Sequence, residues 1–112
     1  MATPLTLNSG RGSDGIPLLV ATGEIDLSNV DTFTQAITRT ITDADGADAV
    51  VIDLSAVEYL DSAAINALAV HADDVGRMRL IAHPFLMPVL TISGLTELAE
   101  VEAAQAQPGV ER

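Results

Sequence analysis

Asp61-Ser62 stands where a short connecting segment gives way to a helical pattern. A serine at a helix start is well placed for phosphorylation, because first-turn backbone N–H groups and the helix dipole stabilise added negative charge. Phosphate would bring about −1.5 to −2 charges, here beside Asp61. The same pair is also an ordinary helix cap, since Asp and Ser are favoured there. Taken alone, the two residues leave both readings open.

The remaining reactive side chains are sparse. There is no Cys and there are only two His residues, so thiolate chemistry and Cys-type zinc sites are excluded. His71 falls inside a helical pattern and His83 precedes Pro84 in a turn. Their spacing matches no metal motif. Asp53 sits near the end of an apolar strand pattern, where a phosphoacceptor Asp would belong. That chemistry also uses a Lys, as does a phosphate-binding loop of the Walker type, and all five basic residues are Arg. Gly10 to Gly15 formally matches GxGxxG. Because Ile16-Pro17-Leu18-Leu19-Val20 reads as strand and not helix, residues 8–15 are expected to form a hairpin loop instead of a dinucleotide site. The loop and scattered carboxylates lack catalytic context, so an enzyme, such as a nucleotide hydrolase, is not expected. No cofactor is expected.

The elements that position Asp61-Ser62 follow from periodicity. Pro4 to Leu7 suggests an edge strand and Ile16 to Ala21 a second strand that Gly23 closes. Ser28 followed by Asp31 has capping-box spacing. The helix behind it carries Val30, Phe33, Ile37 and Ile41 as one apolar stripe and ends around Asp43 to Gly46. The unbroken run Ala49-Val50-Val51-Ile52 indicates a strand covered on both faces or central in its sheet. Residues 54–60 are expected to cross from that strand to a second helix, about Ser62 to Val75, terminated by Gly76. Met78 to Ala82 is a fourth strand. Beyond it, either Pro84 begins a helix that Pro88 distorts or the helix starts near Pro88, with Gly94 as its C′ residue. The tail offers a short strand through Leu98 and Val101 or a helix over 102–107, and residues 108–112 are expected to fray. Alternating strands and helices imply one α/β domain, residues 1–112, with a mixed sheet and a helical layer.

Composition sets the partner class. The 112 residues are 48% hydrophobic but only 3% aromatic, so the core must be built from Ala, Val, Leu and Ile. A net charge of −11 repels phosphate backbones and anionic membranes, which argues against nucleic acid and lipid as partners. It suits a protein with a basic face, or serves solubility alone. The first ten residues lack a signal-peptide pattern, and no apolar run approaches the ~20 residues of a membrane span. A soluble cytoplasmic protein is expected.

In the order strand, GEID (23–26), amphipathic helix, VVIDLSAVEYLDS (50–62), helix, strand and SGL (93–95), the chain resembles a STAS domain, and within that group the stand-alone bacterial anti-sigma-factor antagonists. The resemblance covers about residues 16–95 and is most specific over 50–68. It implies a four- or five-stranded mixed sheet with helices on one side. It also implies that Ser62 is phosphorylated by a cognate anti-sigma factor that is itself a serine kinase. Unphosphorylated antagonist binds that kinase and frees a sigma factor; phosphorylated antagonist lets go, and a phosphatase resets it. Carried onto this chain, Asp26, Asp61, Ser62, Ala63 and Ala64 form the partner surface, and the free protein is a monomer. Ala64 stands where the family commonly has Gly, and its methyl is expected to alter docking. The alternative within the fold is a STAS subunit of a transporter or lipid-trafficking complex without a phosphoswitch, its patch formed by Phe85-Leu86-Met87 unless those residues pack.

Overall fold

A computed structural model of the chain describes residues 4–12, 14–44 and 49–104. The order of elements is β1 (Thr6–Arg11), β2 (Pro17–Ile25), α1 (Val30–Ala44), β3 (Ala49–Leu60), α2 (Ser62–Ala72), β4 (Arg77–Ala82), a 3-10 turn (Pro84–Leu86), α3 (Met87–Ile92), a second 3-10 turn (Leu95–Glu97) and β5 (Glu100–Ala103). The five strands form one sheet in sequence order. β1 runs antiparallel to β2, and the pairs β2–β3, β3–β4 and β4–β5 are parallel. This is the mixed sheet expected from the sequence, with its fifth strand supplied by the tail.

Only one sheet face is sealed. Leu19, Ala21 and Ile25 of β2, Ile52 and Leu54 of β3, and Leu80 and Ala82 of β4 are each at most 1% exposed. The intervening Leu18, Val20, Val51, Asp53, Arg79 and Ile81 are half-buried on the other side. β3 is therefore central, as its apolar run suggests, but covered on one face. Onto that face α1 lays Phe33 and Ile37, both fully buried, with Val30 and Ile41 packed at either end. The stripe is the one expected. α2 adds Ala64, Ala67, Leu68 and Ala72. Side chains this small let a helix approach closely, which is how a core nearly free of aromatics fills its volume.

Several boundaries differ from expectation. β1 continues through Asn8, Ser9 and Gly10 to Arg11, taking in residues read as loop. The turn beyond it is closed by Gly12 N–H donating to the Ile16 carbonyl at 2.9 Å and by Gly15 at φ 84°. β2 runs past Gly23, which adopts φ 100° at an irregularity in the sheet and does not end the strand. β3 is 12 residues long and absorbs the whole segment read as a crossing loop. α2 ends at Ala72 with Asp73 as its C-cap, before Gly76. Pro84 opens the 3-10 turn while Pro88 sits in the first turn of α3, and Gly94, at φ 85°, follows that helix as its C′ residue. The expectations for 45–46 and 105–112, including the frayed end and the 102–107 helix beyond 104, lie outside the described residues.

Candidate functional site

The site is built by register. Ile25 of β2 pairs with Leu60 of β3, so the next residues, Asp26 and Asp61, leave the sheet side by side. Open parallel sheets place their sites here, at the carboxyl ends of the strands. β3 reaches this position by using extra residues. Two steps of β2, Val20 to Thr22, lie against three of β3, Asp53 to Ala56, and one step, Gly23 to Glu24, lies against two, Val57 to Tyr59. These are β-bulges, and they re-aim a strand near its end. The first is braced by Asp53, whose Oδ1 accepts from Ser55 N–H at 2.9 Å. Asp53 is thus a mid-strand residue and not a strand-end acceptor.

Asp61 is the hub. Its Oδ1 accepts from Ala63 N–H at 3.0 Å and Ala64 N–H at 3.2 Å, which makes it the N-cap of α2. Oδ2 accepts from Leu27 N–H at 3.1 Å. Its own N–H donates to the Ile25 carbonyl at 3.2 Å. One half-buried carboxylate therefore fastens the β2–α1 loop to the start of α2. Two of the first-turn N–H groups expected to await a phosphate are already bonded to Asp61.

Asp26 has a different task. Its Oδ1 accepts from the Ser28 N–H at 2.9 Å and from the Ser28 hydroxyl. The Ser28 hydroxyl, foremost, and then the Ser28 N–H hold the Asp26 carboxyl below its ordinary value of 3.8, with slight desolvation opposing and an Asn29 N–H contribution assisting. Ser28 accordingly does not cap α1 as its spacing suggested; its hydroxyl is turned back to Asp26. Asn29 braces the loop instead. Asn29 Oδ1 accepts from Asp26 N–H and Nδ2 donates to the Glu24 carbonyl, both at 3.0 Å, and its carbonyl accepts from Phe33 N–H at 3.3 Å as the helix begins.

Between these two aspartates the loop presents Leu27, 76% exposed. Ser62 is also exposed, and its hydroxyl makes no hydrogen bond among the described residues. Ala63 is half-buried. Ala64 is fully buried in the core cluster, so its methyl faces inward and not toward a partner, which corrects the effect on docking expected from it. Sequence reasoning missed Leu27 and Asn29. The available signal was that Leu27 lies just off the Val30–Phe33–Ile37–Ile41 stripe, flanked by polar residues on both sides.

The other candidates disperse. His71 Nδ1 lies 2.9 Å from the Ala67 carbonyl and Nε2 3.3 Å from Thr38 Oγ1, bridging α2 to α1. His83 Nδ1 accepts from Phe85 N–H at 3.0 Å and caps the 3-10 turn. No group of three His, Asp or Glu residues able to hold a metal occurs among the described residues. The tripeptide Phe85-Leu86-Met87 divides: Phe85 is 85% exposed, Leu86 is buried and Met87 packs on the core. Phe85 continues into exposed Val89 and Ile92 at helical spacing. Among the described residues no helix is long and apolar enough to cross a membrane.

Known proteins share this fold. A family model described as the STAS domain matches residues 10–81. The anti-sigma-F factor antagonist RsfB of Mycobacterium tuberculosis is 39% identical over 64 residues, 57% of this chain and 51% of its own, in each of two strains. The match thus spans about half the length of those curated relatives. The crystal structure of an anti-sigma factor antagonist from Mycobacterium paratuberculosis superposes with a TM-score of 0.77 at 28% identity, covering 88% of this chain and 85% of that one. The anti-sigma factor antagonist SpoIIAA, in its unphosphorylated form, has a TM-score of 0.70 at 16% identity with 96% and 95% coverage, a likeness of fold alone. With the family model matched over more than half its length and a five-stranded sheet of the same architecture, the chain belongs to the STAS domain family.

Proposed function

We propose that this chain is an anti-sigma-factor antagonist that binds an anti-sigma factor through the Asp26–Leu27 and Asp61–Ser62 corner and is switched off by phosphorylation of Ser62. The observation that carries it is the exposed Ser62 hydroxyl, unbonded within the described chain, at the first turn of a helix whose cap is supplied by its neighbour. Names of relatives in M. tuberculosis and M. paratuberculosis support the partner class. The module is a binding protein and not an enzyme; the kinase is the partner, a phosphatase resets the switch, and the exchange takes place in the cytoplasm.

The geometry gives a physical reason for a switch without refolding. Asp61 already satisfies the Ala63 and Ala64 N–H groups. A phosphate on Ser62 therefore adds its charge to a corner that holds the carboxylates of Asp61 and Asp26. On a chain of net charge −11, that charge is directed at whatever docks there. An acidic or apolar surface facing it is repelled or desolvated at a cost. Exposed Leu27 serves as an apolar contact of the unmodified surface, since removing its side chain from water on docking is favourable.

The test is direct. The protein is incubated with a candidate anti-sigma factor kinase and ATP, phosphate is mapped by mass spectrometry, and binding of wild type and Ser62→Glu is measured by calorimetry. Phosphate on Ser62 and at least ~10-fold weaker binding of Ser62→Glu are expected. Absence of phosphate there, with equal binding of the two proteins, overturns the proposal.

The exposed Phe85–Val89–Ile92 stripe favours the second reading, a subunit of a transporter or lipid-trafficking complex. Co-purification with a membrane ATPase through that stripe supports it, and co-purification with a soluble kinase counts against it.

A further inference from the structure

The two edges of the sheet are finished differently. At one edge, β5 is four residues long and carries Glu100 and Glu102, each bonded at 2.9 Å to an arginine of β4, Arg77 and Arg79 respectively. A short, charged strand discourages further pairing. At the other edge β1, Thr-Leu-Asn-Ser-Gly-Arg, has six residues, no acidic side chain, no proline and a regular register with β2 throughout. Its outer side carries no further strand among the described residues.

A groove runs beside that open edge, between β1 and α1. One part, about 250 Å³, has Leu7, Leu19 and Ala36 as its floor and Thr32, Gln35 and Arg39 along its wall. Ser9 joins it to a second part of about 390 Å³ that reaches Gly10, Arg11 and Asp43. Arg11 is held in place there, donating to the Gly15 carbonyl at 2.9 Å and the Asp43 carbonyl at 3.1 Å. Arg39 is exposed and has no hydrogen-bond or ion-pair partner among the described residues. Of the five arginines, Arg77 and Arg79 are paired and Arg112 lies outside the described residues. Among the described residues Arg39 and Arg11, whose donors go to uncharged carbonyls, are therefore cations without a carboxylate partner on an otherwise acidic surface, and Arg39 borders an apolar slot. Asp43 makes the far end less welcoming to an anion, so the anionic contact belongs at the Arg39 end.

We propose that the β1 edge and its groove take up an extended acidic segment of a partner protein by strand addition. The segment's backbone pairs with β1, an apolar side chain enters the slot over Leu7 and Leu19, and a carboxylate meets the Arg39 guanidinium. Backbone pairing gives affinity and alternate side chains give selectivity in this mode of recognition. Charge decides the occupant. A second copy paired antiparallel across a twofold axis would bring a second Arg11 and Arg39 to the same groove on a body of equal net charge. A carboxylate-bearing strand is complementary, and at physiological salt the distant acidic residues are screened beyond about 8 Å. The site involves neither Asp61 nor Ser62, so it goes beyond the phosphoswitch reading and stands or falls separately.

The experiment is a titration of ¹⁵N-labelled full-length protein with a blocked hexapeptide alternating Val and Glu and with its twin in which Gln replaces Glu. Expected are shifts and slowed amide exchange over Thr6–Arg11, shifts along Thr32–Arg39, and at least ~10-fold weaker binding of the Gln twin. Arg39→Glu, an exposed change, is expected to abolish the preference for Glu, Arg39→Gln to reduce it, and Ser62→Glu to leave it unchanged. Equal binding of both peptides, shifts confined to other regions, or indifference to Arg39→Glu overturns the proposal. So does a concentration-dependent dimer that protects β1 amides without peptide, which would assign the edge to a second copy.

Discussion

Two Asp and Ser pairs leave the sheet next to each other, and they are wired in opposite ways. In the β2–α1 loop, the Asp26 carboxylate binds the hydroxyl and N–H of Ser28. At the start of α2, the Asp61 carboxylate binds three backbone N–H groups and leaves Ser62 alone. The first serine is structural and its aspartate completes a local turn. The second aspartate is structural and its serine is free. Spacing explains the difference. An Asp two residues before a Ser folds back on it as an Asx-type turn, whereas an Asp directly before a helix is the cap and aims its oxygens at the second and third N–H groups. Availability of a hydroxyl for modification is thus decided by where the neighbouring carboxylate is committed.

The sharpest way to break this contrast is Asp61→Ala. It removes a cap, at about 0.5–2 kcal/mol, and a charge-assisted bond to Leu27 N–H across the loop, at about 1.5–3 kcal/mol. A loss of about 2–4 kcal/mol is expected in urea unfolding, with the slope unchanged. Asn29→Ala comes next. It deletes two neutral hydrogen bonds, to Asp26 N–H and the Glu24 carbonyl, and is expected to cost about 1–2 kcal/mol. If Asn29→Ala proves the more damaging of the two, Asp61 is not the hub of the corner.

Much of this was legible in the sequence, and the failures have physical causes. The α1 stripe and the apolar start of β3 were clear because their periods are undisturbed. The second half of β3 was read as a connection because its buried residues fall at 50, 52, 54, 57 and 60. Two bulges shift the phase by one residue each, so Val57 and Leu60 arrive three apart and mimic no strand period. β1 was shortened because Asn8, Ser9 and Gly10 resemble turn residues, yet an edge strand in which only Leu7 is half-buried shows no alternation beyond it. Asp61 and Ser62 were legible as a pair, but not which of them was bonded to what. Ala64 was misjudged because one turn of helix places it inward, a fact set by the rotation of α2 on the sheet. The roles of Leu27 and Asn29 were not legible because they come from tertiary and turn partners: Leu27 N–H is held by Asp61, 34 residues away, and Asn29 is fixed by the Asp26 N–H and the Glu24 carbonyl at the end of β2.

The next test sharpens the contrast through protonation. Because Ser28 holds the Asp26 carboxyl below 3.8 in the folded state, the folded pKa lies under the unfolded one. Its stabilising contribution is therefore complete above the unfolded value and is lost as pH falls through the folded value. Ser28→Ala removes the foremost cause. The Asp26 carboxyl titration, followed by ¹³C NMR, is expected to move upward toward 3.8, and this carboxyl's share of the acid-side decline in stability to shrink, because folded and unfolded states then bind the proton alike. An unmoved midpoint would mean that the Ser28 and Asn29 N–H groups suffice and that the Ser28 hydroxyl is as free as that of Ser62.

The smallest effect is expected at Ser62, and its smallness is informative. Ser62→Ala removes an exposed hydroxyl without a partner among the described residues, a change of the kind that usually stays within about 0.5 kcal/mol. Ser62→Glu adds a charge favoured by the helix N-terminus by about 0.3–1 kcal/mol, but places it beside the Asp61 carboxylate, which opposes it. Thermal and urea unfolding of both variants should therefore overlay on wild type within about 0.5 kcal/mol. Given that overlap, any binding lost by Ser62→Glu arises at the surface and not from the fold. A cost above about 1 kcal/mol for Ser62→Ala would show that this serine, like Ser28, is part of the structure, and the distinction between the two corners would collapse.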